Sequence, residues 1–161
     1  MRLAHTLNPS QTVRVCYRGR MNIYIDIDGP LIRNGQPTAH CFEFLRWAVE
    51  FHRPYWLTTR DAHGQYTGIL RAFRHAVGSP ELPAEIETLL RAVRPTEWFG
   101  SKITGVDLAS DFVWIDDAPL RVEIETLRGL GLLNRLLVVD TNDGLLRAVD
   151  VIRAGLSAIE V

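Results

Sequence analysis

Short β-branched apolar runs alternate with helix-length segments along this chain, and most of the runs end in an acid or a hydroxyl residue. Residues 22–27 (NIYIDI), 55–58, 96–99, 112–115 and 135–139 (RLLVV) read as buried strands. Between and after them, residues 38–52 place Cys41, Phe44, Leu45, Ala48 and Phe51 at helical spacing, with Thr38 as the expected N-cap. Residues 65–77, 84–93, 120–128 and 145–154 also read as helices, and Pro83 suits a first helical turn. Five strand candidates interleaved with helices predict a three-layer α/β domain with a mainly parallel five-stranded sheet. In such sheets ligands bind beyond the carboxyl ends of the strands, so the residues following each strand carry the chemistry.

Those residues are unusual. The first strand ends Asp26-Ile27-Asp28-Gly29, the second Thr58-Thr59-Arg60-Asp61, and the fourth Asp116-Asp117-Ala118-Pro119. Four carboxylates thus leave two strands that a doubly wound sheet can set side by side. Two bare carboxylates ~4 Å apart repel by about 4 kcal/mol at an effective dielectric of ~20. Such a cluster needs a cation, shared protons or both. Hard oxygen ligands favour Mg²⁺. Of 18 basic residues only Lys102 is a lysine, the other 17 being arginine, and it precedes the Asp116 strand.

In their order these residues resemble the haloacid dehalogenase superfamily of phosphatases and phosphotransferases, over residues 21 to about 154. IYIDIDGPL matches the family's apolar strand followed by Asp-x-Asp-Gly-x-Leu. YWLTTR supplies the Thr ending an apolar strand, with Thr58 aligned and Thr59 the alternate. Lys102 falls on the family's lysine, and FVWIDDAP on its acidic pair. The resemblance implies a Rossmann-like domain and a Mg²⁺-dependent phosphohydrolase working through an aspartyl-phosphate. Asp26 would be the nucleophile and Asp28 the general acid and base. Thr58 would hydrogen-bond the phosphoryl group, and Lys102 would screen its charge. Mg²⁺ would be held by Asp26, the Asp28 carbonyl, Asp116 and Asp117. Gly29, Thr59 and Arg60 would line the substrate site, Arg60 either clamping an anion or pairing with Asp61 or Asp116.

One departure stands out: Pro30 occupies the family's usual Thr position and removes a backbone donor from that loop. Only residues 29–38 separate the first strand from the first helix, which is room for a hairpin with Asn34-Gly35 at its tip but not for a cap domain. The implied substrate is a phosphorylated small molecule or macromolecule, with nucleic acid entering only as a substrate end.

Other readings are weaker. A phosphorelay receiver domain also uses acids, a Thr and a Lys, but there the acidic pair comes first and the Lys last. A nucleoside-triphosphate-binding domain would carry G-x-x-x-x-G-K-[ST], which is absent from the sequence. A pseudoenzyme that binds a partner through the same fold remains the alternative, disfavoured by the intact Asp26/Asp28 pair. His40, His52 and His75 show no zinc spacing, His63 in the loop after Thr58 reads as solvent-facing rather than as a substrate contact, and Trp56, Trp98 and Trp114 read as core rather than as base-stacking platforms.

Composition bounds the rest. With 161 residues, 47% apolar and 23% charged, the chain suits one folded domain and not a disordered one. No apolar run approaches the ~18 residues of a membrane span, and the first residues lack a signal-like apolar stretch. A net charge of −1 gives no bulk attraction to nucleic acid. Cys16 and Cys41 form neither a disulfide framework nor a four-ligand zinc site, so a reducing, cytoplasmic setting is expected. Residues 1–20 differ, with four arginines and no acid; they read as an N-terminal extension (edge strand over 12–17, basic arm, or sequence upstream of a start at Met21) to a domain spanning 21–161.

Overall fold

The computed structural model describes residues 19–140 and 143–155, so the strand reading at 12–17 lies outside the described residues. In chain order the elements are β1 (Asn22–Ile25), a hairpin of β2 (Ile32–Arg33) and β3 (Gln36–Pro37), and α1 (Cys41–Phe51). Then follow β4 (Arg53–Trp56), α2 (Thr67–Val77), α3 (Ala84–Ala92), β5 (Phe112–Asp116), α4 (Arg121–Gly129), β6 (Leu136–Val138) and α5 (Gly144–Ala154). Short 3-10 turns cover Lys102–Gly105 and Leu133–Arg135.

The main sheet is parallel with strand order β4-β1-β5-β6. Among the described residues it has four strands, where five were expected. The 96–99 candidate forms no strand, because pairing with β4 lasts a single residue. The Arg94 amide donates to the Pro54 carbonyl (3.0 Å) and the Trp56 amide donates to the Arg94 carbonyl (2.8 Å). The next rung would place the Thr96 amide on the Trp56 carbonyl, but the Thr96 hydroxyl takes that carbonyl instead. Side-chain hydroxyls compete with the ladder in this way.

Strand alternation divides the core. Ile23, Ile25, Trp56, Val113, Ile115 and Leu137 face one side, where α1, α2, α3 and α5 cover them. Tyr24, Leu57, Phe112 and Trp114 face the other, under α4 and the Lys102–Gly105 turn. The three layers are therefore unequal. From β1 the chain goes to β4 on one side, and after β4 it crosses back to β5 on the other. The β1/β5 boundary is the point where the winding reverses, which is where open α/β sheets form a crevice.

Two helix starts differ from expectation. Thr38 does not cap α1: its hydroxyl donates to the Pro30 carbonyl (2.7 Å) and closes the base of the hairpin, while α1 begins at Cys41. The segment before α2 is held as a turn by the Asp61 carboxylate, which accepts the amides of His63 (3.3 Å) and Gln65 (3.0 Å), so α2 starts at Thr67. The hairpin tip is the Asn34-Gly35 pair, both with positive φ (53° and 72°), as a tight two-residue loop requires. Among the described residues no helix is long and apolar enough to cross a membrane.

Phe73 is fully buried on the crowded face, its ring 6.1 Å from Phe42 and 6.2 Å from Trp56. Phe73→Ala is expected to lower the unfolding free energy by about 3–5 kcal/mol, measured by denaturant titration.

Candidate active site

The parallel register builds the site. Tyr24 of β1 lies beside Trp114 of β5, and Ile25 beside Ile115. The ladder continues one step, with the Asp26 amide donating to the Ile115 carbonyl (2.9 Å). Asp26 and Asp116 therefore lie one strand spacing apart, ~4.8 Å, on the same face as Tyr24 and Trp114. Both are buried, Asp116 almost completely. The Lys102–Gly105 turn lies over that face, and the Lys102 ammonium sits between the two carboxylates, 2.8 Å from Asp26 and 2.7 Å from Asp116.

Each carboxylate is fixed by further donors. One oxygen of Asp26 accepts the Ile27 amide (2.8 Å) and the other faces Lys102. Asp116 also accepts the Ala118 amide (3.0 Å) and the Trp114 indole N–H (3.3 Å). Asp117 completes a triad: one oxygen from each of Asp26, Asp116 and Asp117 lies within 4.8 Å of the others. Gly29 makes room for it. With φ of 92° and a virtual Cβ only 2.0 Å from the Asp117 carboxyl carbon, position 29 admits no side chain without displacing Asp117.

Three carboxylates against one ammonium leave excess negative charge. Burial, then the neighbouring Asp116 charge, pushes the Asp26 carboxyl up to about 6, against the pull of Lys102. Burial, reinforced by Asp116, also raises Asp117. Burial works against the Lys102 charge, yet Asp26 and Asp116 outweigh it and the ammonium is held above its usual range. The donor set is all hard oxygen, and in octahedral Mg²⁺ at ~2.1 Å such oxygens lie roughly 3–4 Å apart, so modest closure of the triad fits that ion.

The remaining candidates are placed around this centre. Thr58 is fully buried just beyond β4, and its hydroxyl accepts the Arg60 amide (3.2 Å), leaving its own proton to donate. Thr59 is exposed and lines a cleft with Arg60 and His63. The Asp28 carboxylate stands apart from the triad. It is gripped by both arms of the Arg60 guanidinium, at 2.8 and 2.7 Å. Arg60 thus pairs with Asp28, not with Asp61 or Asp116. Trp56 and Trp114 are core residues, as their spacing suggests. Burial pushes the Cys41 thiol up to about 12, which removes it as a nucleophile.

Sequence reasoning passed over Glu123. This carboxylate is 1% exposed and accepts the amides of Leu120 and Lys102 and the Ser101 hydroxyl, each at 2.8 Å. It joins the start of α4 to the lysine turn and so aims Lys102. An acid three residues after a helix start was visible in APLRVE, but without the Ser or Thr that usually signals such a cap. Arg33 was also passed over; it donates to the carbonyls of Val139 (3.1 Å) and Asp140 (2.7 Å) and ties the hairpin to the end of β6.

Glu123→Ala leaves three donors without their acceptor and is expected to cost at least about 3 kcal/mol of stability, read from urea unfolding. A second expectation concerns pH. Asp26 titrates at about 6 when folded and near 3.8 as a free side chain. The folded state therefore binds this proton more tightly, and the group's destabilising effect is absent below the lower value and complete above the upper one. In EDTA, Asp26→Asn should melt above the unsubstituted protein at pH 7, with the gap closing as pH falls from 6 to 4. A gap that is constant with pH would contradict the raised Asp26 value.

No known family model, curated protein or solved structure matches this chain.

Proposed function

We propose that the protein is a Mg²⁺-dependent phosphoric monoester hydrolase of the haloacid dehalogenase type, acting through an aspartyl-phosphate on Asp26. The reading is supported above all by one arrangement: the Lys102 ammonium bridging Asp26 and Asp116 at adjacent parallel strand ends, with Asp117 alongside.

Asp26 attacks phosphorus in line, forming the acyl phosphate as the ester oxygen leaves. Asp28 gives its proton to that oxygen, then takes one from the water that opens the acyl phosphate, so the enzyme returns to its starting state. Thr58 donates its hydroxyl proton to a phosphoryl oxygen. Lys102 holds Asp26 in position and offsets the charge that builds on the phosphoryl group. Mg²⁺, held by Asp26, Asp116, Asp117 and the Asp28 carbonyl, would neutralise phosphoryl charge as a Lewis acid. Asp28 must leave Arg60 before it can serve, because its two oxygens are occupied by that guanidinium.

The same Arg60–Asp28 pair favours a second reading, a partner-binding or regulatory domain of the same architecture without turnover. Release of phosphate from p-nitrophenyl phosphate separates the two. Under the hydrolase reading it requires Mg²⁺, and Asp26→Asn abolishes it because an amide forms no acyl phosphate. Asp28→Asn should slow hydrolysis of alkyl phosphates by about 10²–10⁴, and of p-nitrophenyl phosphate by less, since that leaving group needs no proton. Mg²⁺ binding with no release from any ester would select the second reading.

A further inference from the structure

Beside the candidate site, a groove of about 490 Å³ runs between the hairpin and α2. Asp28 and Arg60 line it, together with Asn34 on the hairpin side and Arg71 and His75 on the α2 side. We propose that this groove is a subsite for a second anionic group, so that the preferred substrate is a small phosphomonoester carrying a second phosphate or a carboxylate. The proposal rests on the hydrolase reading above and names its substrate class.

Position is the first argument. Asp28, which lines the groove, lies two residues after the candidate nucleophile, so the groove wall begins within about 7 Å of chain from Asp26. Charge is the second. Arg71 and His75 are four residues apart on α2 and present one face to the hairpin. Both are exposed, and Arg71 has no ion pair or hydrogen bond among the described residues. Arg60 is already matched to Asp28, so the wall holds two guanidiniums and an imidazole against one carboxylate. A neighbouring cleft of about 350 Å³ also borders Arg60 and Arg71, so these two arginines are reached from both sides. Guanidinium groups bind phosphate and carboxylate through paired N–H donors.

The need for such a wall follows from the centre itself. Three carboxylates against one lysine repel a phosphorylated ligand, and nearby cationic side chains counter that field. Size is the third argument: the groove volume lies within the ~300–1,000 Å³ range of small-molecule sites. Asn34-Gly35 at the hairpin tip bounds it on one side, which favours a small occupant over a long polymer.

The test uses the full chain with Mg²⁺ and two matched esters, propane-1,3-diol bisphosphate and propyl phosphate. The expected kcat/KM is at least about tenfold higher for the bisphosphate, and Arg71→Gln should lower that ratio about tenfold. His75→Gln serves as a second variant should Arg71→Gln fold poorly. Equal kcat/KM for the two esters, or a ratio indifferent to both substitutions, would overturn the subsite. So would a preference for a 5′-phosphorylated oligonucleotide over both esters. Calorimetric titration of the same two esters makes the subsite independent of turnover. If no ester is hydrolysed, the hydrolase reading fails, while bisphosphate binding that is stronger than propyl phosphate binding and weakened by Arg71→Gln would still uphold the anion subsite. Equal binding of both esters would overturn it.

Discussion

Everything around the candidate site follows from placing two buried carboxylates one strand spacing apart. Parallel, in-register pairing of β1 and β5 forces Asp26 and Asp116 onto the same face of the sheet at its carboxyl edge. Their repulsion is not relieved by solvent, because neither is well exposed. Lys102 relieves part of it, at 2.8 and 2.7 Å from the two acids. Asp117 then adds a third negative charge, and the remaining imbalance is seen in the raised Asp26 carboxyl. A proton or a hard cation at such a centre would relieve that imbalance.

The surrounding chain serves to keep this unfavourable arrangement in place. Glu123 ties the backbone of Lys102 to the start of α4, so the lysine is delivered by a turn that is itself anchored. Gly29 leaves the space that Asp117 occupies. Trp114 donates its indole N–H to Asp116 from two residues away on the same strand face. Glu123 also stabilises the fold by satisfying three donors, so the lysine turn and the start of α4 are held by the same buried carboxylate.

The hairpin is the other organised feature near the centre. It is closed at its base by Thr38, fixed to the end of β6 by Arg33, and turned by two residues of positive φ. It borders a groove whose opposite wall is α2, and Arg60 joins the groove to Asp28. The triad and the cationic wall thus differ in charge and are linked along the chain by the two residues that separate Asp26 from Asp28. That juxtaposition suits a ligand with two anionic ends under the hydrolase reading.

Much of this architecture was legible in the linear chain. Alternating apolar runs and helical spacing pointed to a parallel α/β sheet, and the acids, Thr58 and Lys102 stood out because they follow strands or break the arginine habit of the chain. Asn34-Gly35 declared its hairpin, since both positions need positive φ. These are local signals, set by backbone preferences and side-chain periodicity. What the line of residues could not show depends on distant groups meeting. The fifth strand was lost because the Thr96 hydroxyl takes a carbonyl of β4, 40 positions away. Arg60 chose Asp28 over Asp61 and Asp116, a choice made by where the β1 and β4 ends lie in space. Glu123 became the anchor of Lys102 only when α4 packed beside the turn 21 residues earlier. Periodicity determines which elements form, but the partners of buried polar groups are decided by the packing that removes them from water, because only then must each donor and acceptor find a mate.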